Sequence, residues 1–415
     1  MQAMGDHIAP QQMVTGYDPL APETVADPFP AYEWLRSQCP VHRTEQFGHP
    51  LYTLSRRADV HAVLTHPEQW SNTLGPGVGY SGTERMGDIQ RFDPPDHTAR
   101  RRFARPEFNP VRVVELGDEV RALAGRLVDE MLAAGPPAEL HDDFAMPLPI
   151  VGFIDMMGVE QADAAKIKHW ADELVRALAD PYAAGPSFVA LGTYLLERVV
   201  DVRRRADEAG VSGDEAIGAV VPAGLLSTYA LRLFDGERMH EREMAGMLTQ
   251  LMVAGHETTT SLITNLVFRL LERRERWEAL VADPSLAEAA VEESLRYDPP
   301  VLGLCRTNNE PMTLGDEQIE PGTKVMVLYA SANRDPAAFE SPDEFRLDRP
   351  WTELRRHYSF GWGVHHCLGA PIARQTARIA LETLVARLPS LELAGPTERI
   401  ASEFLWGRRV LPVRW

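Results

Sequence analysis

Phe360-Gly361-Trp362-Gly363-Val364-His365-His366-Cys367-Leu368-Gly369 is the stretch on which the reading of this chain turns. A lone cysteine sits behind a loop with two glycines. After it, Ala370, Ile372, Ala373, Ala377, Ala380, Leu381, Leu384 and Leu388 recur at helical spacing. Cys367 is therefore expected at or near a helix N-terminus, where free N–H groups and the dipole favour an anion. A thiolate populated well below the free-thiol range is the expected form. Such a thiolate is a nucleophile, a zinc ligand or a haem ligand. Gly361 and Gly363 permit close backbone approach and are expected to aim N–H groups at the sulfur, a contact that tunes metal–thiolate bonds. Phe360 is expected to cover the sulfur on its apolar side.

The second informative stretch is Glu241–Glu272. Met244, Leu248, Leu251, Gly255, Thr258 and Leu262 follow steps of three and four, one continuous helical stripe. At 1.5 Å per residue this predicts a helix of about 45–50 Å, long enough to cross the molecule. The stripe breaks at Ala254-Gly255-His256-Glu257-Thr258-Thr259. Gly weakens a helix, and buried Glu or Thr is costly unless hydrogen-bonded. Local rules are usually broken for function. The bland alternative is Thr258 bonded back to the Ala254 carbonyl in a bent helix, and the two readings can coexist. A zinc-protease motif would need histidine at position 260, where Thr260 stands.

Composition bounds the rest. The chain has 415 residues, 44% hydrophobic and 25% charged, an ordinary globular mixture. Its formal net charge of −18 disfavours non-specific binding to nucleic acid or anionic membrane. Three cysteines, Cys39, Cys305 and Cys367, make no disulfide framework and suit a reducing cytoplasm. No apolar run is long enough to span a bilayer. Residues 1–16 are polar and mixed and are expected to be disordered.

In chain order, Pro28–Leu35 reads as a short helix, Val41–Arg43 and Pro50–Ser55 as strands, and Arg57–Thr65 as a helix. Trp70–Arg91 is a Gly- and Ser-rich loop. A helix starts after Pro94-Pro95, with His97 and Arg101 on one face. Arg100, Arg102 and Arg105 read as a solvated basic face. Val111–Ala134 and Ala162–Ala177 read as amphipathic helices, Pro181–Pro186 as a break, and Phe188–Arg205 as a helix. Glu293-Ser294-Leu295-Arg296 carries an i,i+3 pair that alone is weak evidence. Strand signals cover Lys324–Leu328.

Taken together, these motifs resemble the cytochrome P450 family over about residues 17–415. Phe360, Gly361, Gly363, His365, Cys367 and Gly369 match its cysteine-ligand loop, and His357 and Ala373-Arg374 match the bacterial form. The resemblance implies a single haem domain over 17–415. Its fold would be mainly α with a smaller β-rich lobe, the haem lying between the long central helix and the cysteine loop. It implies haem b, with Cys367 as axial ligand of the iron and a thiolate that favours O–O cleavage. His97, Arg101 and Arg306 would bind the propionates, and His365 and Phe360 belong to the cofactor loop. Ala254 and Gly255 would leave room for dioxygen, Thr258 would hold a water and donate to dioxygen, and Glu257 would relay protons. Glu293, Arg296 and Arg349 would form a buried structural network. The loop Trp70–Arg91, the Phe188–Arg205 helix, Val301, Leu302, Leu304 and Phe404–Trp406 would surround substrate.

The resemblance further implies a cytoplasmic monooxygenase, expected as a monomer, acting on a small apolar molecule such as a terpenoid, aromatic, polyketide or steroid. No flavin or iron–sulfur signature is present, so electrons from NAD(P)H are expected through a separate ferredoxin or flavodoxin and its reductase. Arg100, Arg102, Arg105 and Arg355-Arg356 are the expected basic docking patch. Aryl coupling, desaturation or epoxidation by the same centre, and a haem sensor without turnover, are the alternatives. The retained Glu257-Thr258 pair speaks against the sensor.

Overall fold

A computed structural model describes residues 16–80, 88–159, 161–163, 165–167, 169–170, 173 and 185–415. Helices dominate, and the longest is the central helix Glu241–Leu271 of 31 residues, about 46 Å at 1.5 Å per residue. His240 caps it, its ring nitrogen accepting from the Arg242 N–H. Its C-terminal half enters a core of Leu262, Ile263, Leu266, Val267 and Leu270 shared with Leu123, Leu127, Leu381 and Leu384. Those partners come from helix Pro110–Ala134 and helix Ala370–Arg387, the latter directly after the cysteine loop. The N-terminal half packs Met244, Met247, Leu248 and Met252 against Leu191, Leu195 and Ile154, from helices Gly185–Ala209 and Pro147–Met157. The central helix is thus buried along its length by apolar neighbours, which stabilises it more than propensity does.

The β-rich part is a five-stranded sheet. Its order is Val41–Thr44, Leu51–Leu54, Lys324–Val327, Leu304–Asn308, Trp70–Ser71. Only the Leu51–Leu54 to Lys324–Val327 pairing is parallel. Lys324–Val327 is central and buried on both faces, which explains its weak alternation in sequence. Pairing of Val325 with Arg306 fixes where Arg306 sits on the sheet.

The expected boundaries hold closely. The helices are Phe29–Gln38, Arg57–Thr65, Asp96–Ala104 and Pro110–Ala134, and the last strand is Pro412–Arg414. Asn109 caps Pro110–Ala134, accepting from the Val111 and Arg112 N–H groups. Residues 1–15 of the expected disordered segment, 81–87 of the Gly-rich loop, much of Ala162–Ala177 and 181–184 of the Pro181–Pro186 break lie outside the described residues. No helix among the described residues is long and apolar enough to cross a membrane.

Candidate active site

Cys367 lies two residues before the Gly369 N-cap of helix Ala370–Arg387. Its own N–H donates to the Phe360 carbonyl at 2.8 Å, closing the loop on itself. Gly361 and Gly363 have φ of 66° and 70°, in the left-handed region that glycine occupies without steric cost. At Gly363 a Cβ would stand 2.3 Å from the Leu64 carbonyl oxygen, so glycine here also lets the loop pack on helix Arg57–Thr65.

Two expectations about the thiol are corrected. The N–H groups directed at the sulfur belong to Gly369 and Ala370, at the helix start. The Gly361 N–H is turned away, donating to the Tyr358 carbonyl at 2.7 Å. The side chain faces the open side of the loop, yet desolvation by the surrounding protein pushes the thiol up rather than down, opposed by the Gly369 N–H, Arg101, the Ala370 N–H and Arg374. The helix terminus thus offsets only part of the desolvation, and a bound cation is what would settle the sulfur as thiolate. Phe360 packs among His357, His366 and Arg374, whose guanidinium lies 4.4 Å from its ring centre.

Four basic side chains converge beside the loop. His97 is buried, its ring centre lies 4.0 Å from that of His365 with the planes tilted by 44°, and neither of its ring nitrogens has a hydrogen-bond partner. Burial and then Arg101 lower it to about 4. His365 falls to about 2 through burial, then His97, Arg306 and Arg101. Arg306 is buried and donates to the Cys305 carbonyl at 2.9 Å. Arg101 is lowered by burial. Two buried ring nitrogens without a protein partner, beside the Arg101 and Arg306 guanidinium groups, suit an anionic group. This fits the carboxylates of an iron porphyrin, with Cys367 supplying the sulfur. Among the described residues, no three His, Cys, Asp or Glu side chains are grouped to hold a metal ion, as a zinc site would need.

On the central helix, Ala254 is exposed and Thr258 half-buried, within a helix otherwise mostly buried. The Thr258 hydroxyl donates to the Ala254 carbonyl at 2.9 Å, so the bland expectation is met and the hydroxyl is held on the open face. Gly255 has a neighbour of its own on the next face of the helix. One residue turns the helix by about 100°, and its Cβ position meets the Phe153 ring at 3.4 Å. Its smallness admits Phe153, whereas Ala254 lies on the open side. Glu257 is buried, and Ser261 donates to it at 3.2 Å.

The Glu–Arg network is present. Arg296 donates to Glu293 at 2.8 and 2.7 Å, and Arg349 at 2.9 Å, all three side chains being fully buried. A second network was not read from sequence. His357 Nε2 lies 2.9 Å from Glu292, and Arg374 donates to the same carboxylate at 2.5 and 3.1 Å. Burial pushes Glu292 up, but the bonds from His357 and Arg374 prevail and hold it at about 2. Adjacent acids Glu292-Glu293 on a helix whose neighbours are buried were the available signal.

The expected basic patch is divided. Arg100 is not solvated: it pairs with Glu243 and lies 3.8 Å from the Phe92 ring centre. Arg102 and Arg105 are exposed beside Cys367, in a cleft of about 590 Å³ also lined by Arg101 and Arg374. Arg355 and Arg356 belong to a different cleft, with Arg57, His61 and Trp362.

Comparison with known proteins agrees with this architecture. The cytochrome P450 family model matches residues 225–398. The cytochrome P450 monooxygenase PikC of Streptomyces venezuelae is 35% identical over 95% of this chain and 93% of its own. The steroid C26-monooxygenase of Mycolicibacterium smegmatis is 30% identical over 92% of this chain and 91% of its own. Among solved structures, the bacillaene polyketide synthase cytochrome P450 PksS of Bacillus subtilis superposes with a TM-score of 0.84 at 28% identity, over 96% of this chain and 99% of that one. A cysteine loop, a cationic cradle and a long central helix whose apolar stripe is broken at Ala254–Thr259 are the features of a haem-thiolate enzyme. This chain belongs to the cytochrome P450 family and is a bacterial-type P450 monooxygenase. Membership implies haem and dioxygen.

Proposed function

We propose that residues 17–415 form one haem domain that inserts one oxygen atom of dioxygen into a C–H bond of a small, largely apolar molecule. Electrons would come from a separate ferredoxin or flavodoxin and its reductase. The observation that carries this reading is His97: two buried, unpartnered ring nitrogens beside His365, Arg101 and Arg306, next to the cysteine loop. Haem b, when bound, supplies the redox chemistry that activates dioxygen, and a thiolate ligand favours O–O cleavage.

The chain's own residues do the rest. Cys367 would hold the iron, with the Gly369 and Ala370 N–H groups sharing the sulfur's charge. Arg101 and Arg306 would donate to the propionates, and His97 and His365, neutral at pH 7, would offer ring N–H groups. Thr258, fixed by the Ala254 carbonyl, leaves its oxygen lone pairs free to hold a water on the open face. Glu257 would move protons from its carboxylate by exchanging the Ser261 bond for one to that water. Val301 and Leu302 beside Phe404–Trp406 supply an apolar wall, since Leu302 donates to the Phe404 carbonyl at 2.8 Å and Val301 bridges Leu405. Such a wall suits an apolar substrate. Relatives named for polyketide and steroid chemistry fall in two of the expected substrate classes.

Thr258→Ala should leave haem binding intact and uncouple NAD(P)H use from product, with at least about tenfold more peroxide per product, as expected when the group that positions a proton-carrying water is lost. The ratio of product to NAD(P)H measures it, and unchanged coupling would remove Thr258 from the proton path. For the redox partner, Arg102 and Arg105 are exposed cations in the cleft that Cys367 lines, on a protein of net charge −18. Charge reversal at both should slow reduction by an acidic ferredoxin about tenfold or more at low salt, and less at high salt. Stopped-flow reduction rates indifferent to both changes would place docking elsewhere.

A further inference from the structure

Lys324 is fully buried in the central strand of the sheet. No carboxylate is recorded in an ion pair with it among the described residues. Its ammonium donates to the carbonyl oxygens of Leu74, Gly75 and Gly77 at 2.9, 2.5 and 3.0 Å. An ammonium has three N–H donors, and all three close on one turn. Burial lowers Lys324 to about 8, helped by Arg306 and opposed by Cys305. The three carbonyl acceptors favour the charged form, so the ammonium is intact at pH 7. A buried charge without an opposite charge is costly. The sequence retains it where a neutral strand residue would pair equally well.

What that turn connects gives the lysine a use. Downstream of it in space, the Pro76 carbonyl accepts from the Cys305 N–H at 2.7 Å, one residue before Arg306. Lys324 itself lies opposite Thr307, and Val325 opposite Arg306. Upstream, Ser71 Oγ and the Asn72 N–H donate to the Asp93 carboxylate at 2.6 and 3.0 Å. The Asp93 carbonyl in turn accepts from the His97 N–H at 2.9 Å, at the start of the helix that carries Arg101. Residues 71–77 therefore form a strap between the two halves of the cationic cradle. His97 and Arg101 are at one end, and Arg306 is at the other.

We propose that Lys324 is a positioning residue: it clamps the 71–77 strap and thereby sets the separation between His97 and Arg101 on one side and Arg306 on the other. The inference rests on the haem reading above and adds to it a residue that touches neither cofactor nor substrate. Lys324→Met keeps the bulk and removes the three donors. The test measures haem transfer from the holoenzyme to apomyoglobin, with resonance Raman bands of the haem propionates as second readout. Leu388→Ala, a fully buried core site, serves as the control for general destabilisation. Lys324→Met is expected to lose haem at least tenfold faster than Leu388→Ala and to shift the propionate bands, which Leu388→Ala leaves in place. If Lys324→Met does not fold, Lys324→Gln, with two amide donors, is read the same way and should show a smaller increase with the same band shift. A wild type whose reduced carbon-monoxide complex lacks the thiolate-type spectrum would overturn the haem reading. A wild type with that spectrum, and Lys324 variants that match Leu388→Ala in both readouts, would overturn the clamp alone.

Discussion

Glu293→Ala is expected to destabilise the chain by about 3–5 kcal/mol, the usual cost of removing one partner from a buried ion pair. The Glu293 carboxylate accepts from Arg296 twice, from Arg349, and from the Arg346 N–H at 2.9 Å. Without it, two guanidinium groups stay buried. Arg296 keeps only the carbonyls of Asn333, Pro342 and Glu344. Arg349 keeps the carbonyls of Glu340, Ser341 and Glu344, and Glu353. Against a typical total of about 5–15 kcal/mol, the loss threatens the whole fold. Glu293→Gln retains an acceptor and should lose less. Urea titration of each holoprotein measures the difference, and a loss under about 1 kcal/mol for the alanine variant would show that these carbonyls already satisfy both arginines.

Cys367→Ala should reduce monooxygenase turnover to background while leaving the fold standing. The side chain opens onto the site, and the structural bonds of the loop are carried by backbone groups, including the Cys367 N–H to the Phe360 carbonyl. Alanine keeps that N–H. It removes the sulfur, the loop's only thiolate and so its one ligand able to push charge to iron for O–O cleavage. The cradle of His97, Arg101, Arg306 and His365 is untouched, so some haem should still be captured, without thiolate character. Product formation with NAD(P)H and a surrogate ferredoxin and reductase measures the effect. Turnover retained within about tenfold of wild type would contradict the assigned ligand, since a lost covalent role costs several kcal/mol of barrier.

The sequence was most legible where chemistry is written in contiguous residues. Phe360–Gly369, the break at Ala254–Thr259 and the Glu293–Arg296 spacing could all be read locally, and helix periods fixed most boundaries. What escaped depends on backbone path or distant pairing. The N–H groups that face the sulfur are those of Gly369 and Ala370 at the start of the next helix, while the Gly361 N–H is used by the Tyr358 carbonyl, a backbone path that residue types alone do not show. That Gly255 also lies against the Phe153 ring depends on a neighbour about 100 residues away, which no local spacing shows. Arg100 read as solvent-facing because its partner Glu243 lies 143 residues away. Glu292 with His357 and Arg374, and Lys324 with the strap, join segments that no local period connects. Buried charges announce themselves only by their cost, and sequence does not show burial.

The most direct test of the central claim is the absorption spectrum of the purified, reduced protein under carbon monoxide. A strongly red-shifted Soret band, absent from Cys367→Ala, is the expected result, because thiolate ligation of the haem iron would produce it. A histidine-type band in the wild type, or no haem at all, would contradict Cys367 as the ligand and the oxygenase mechanism with it.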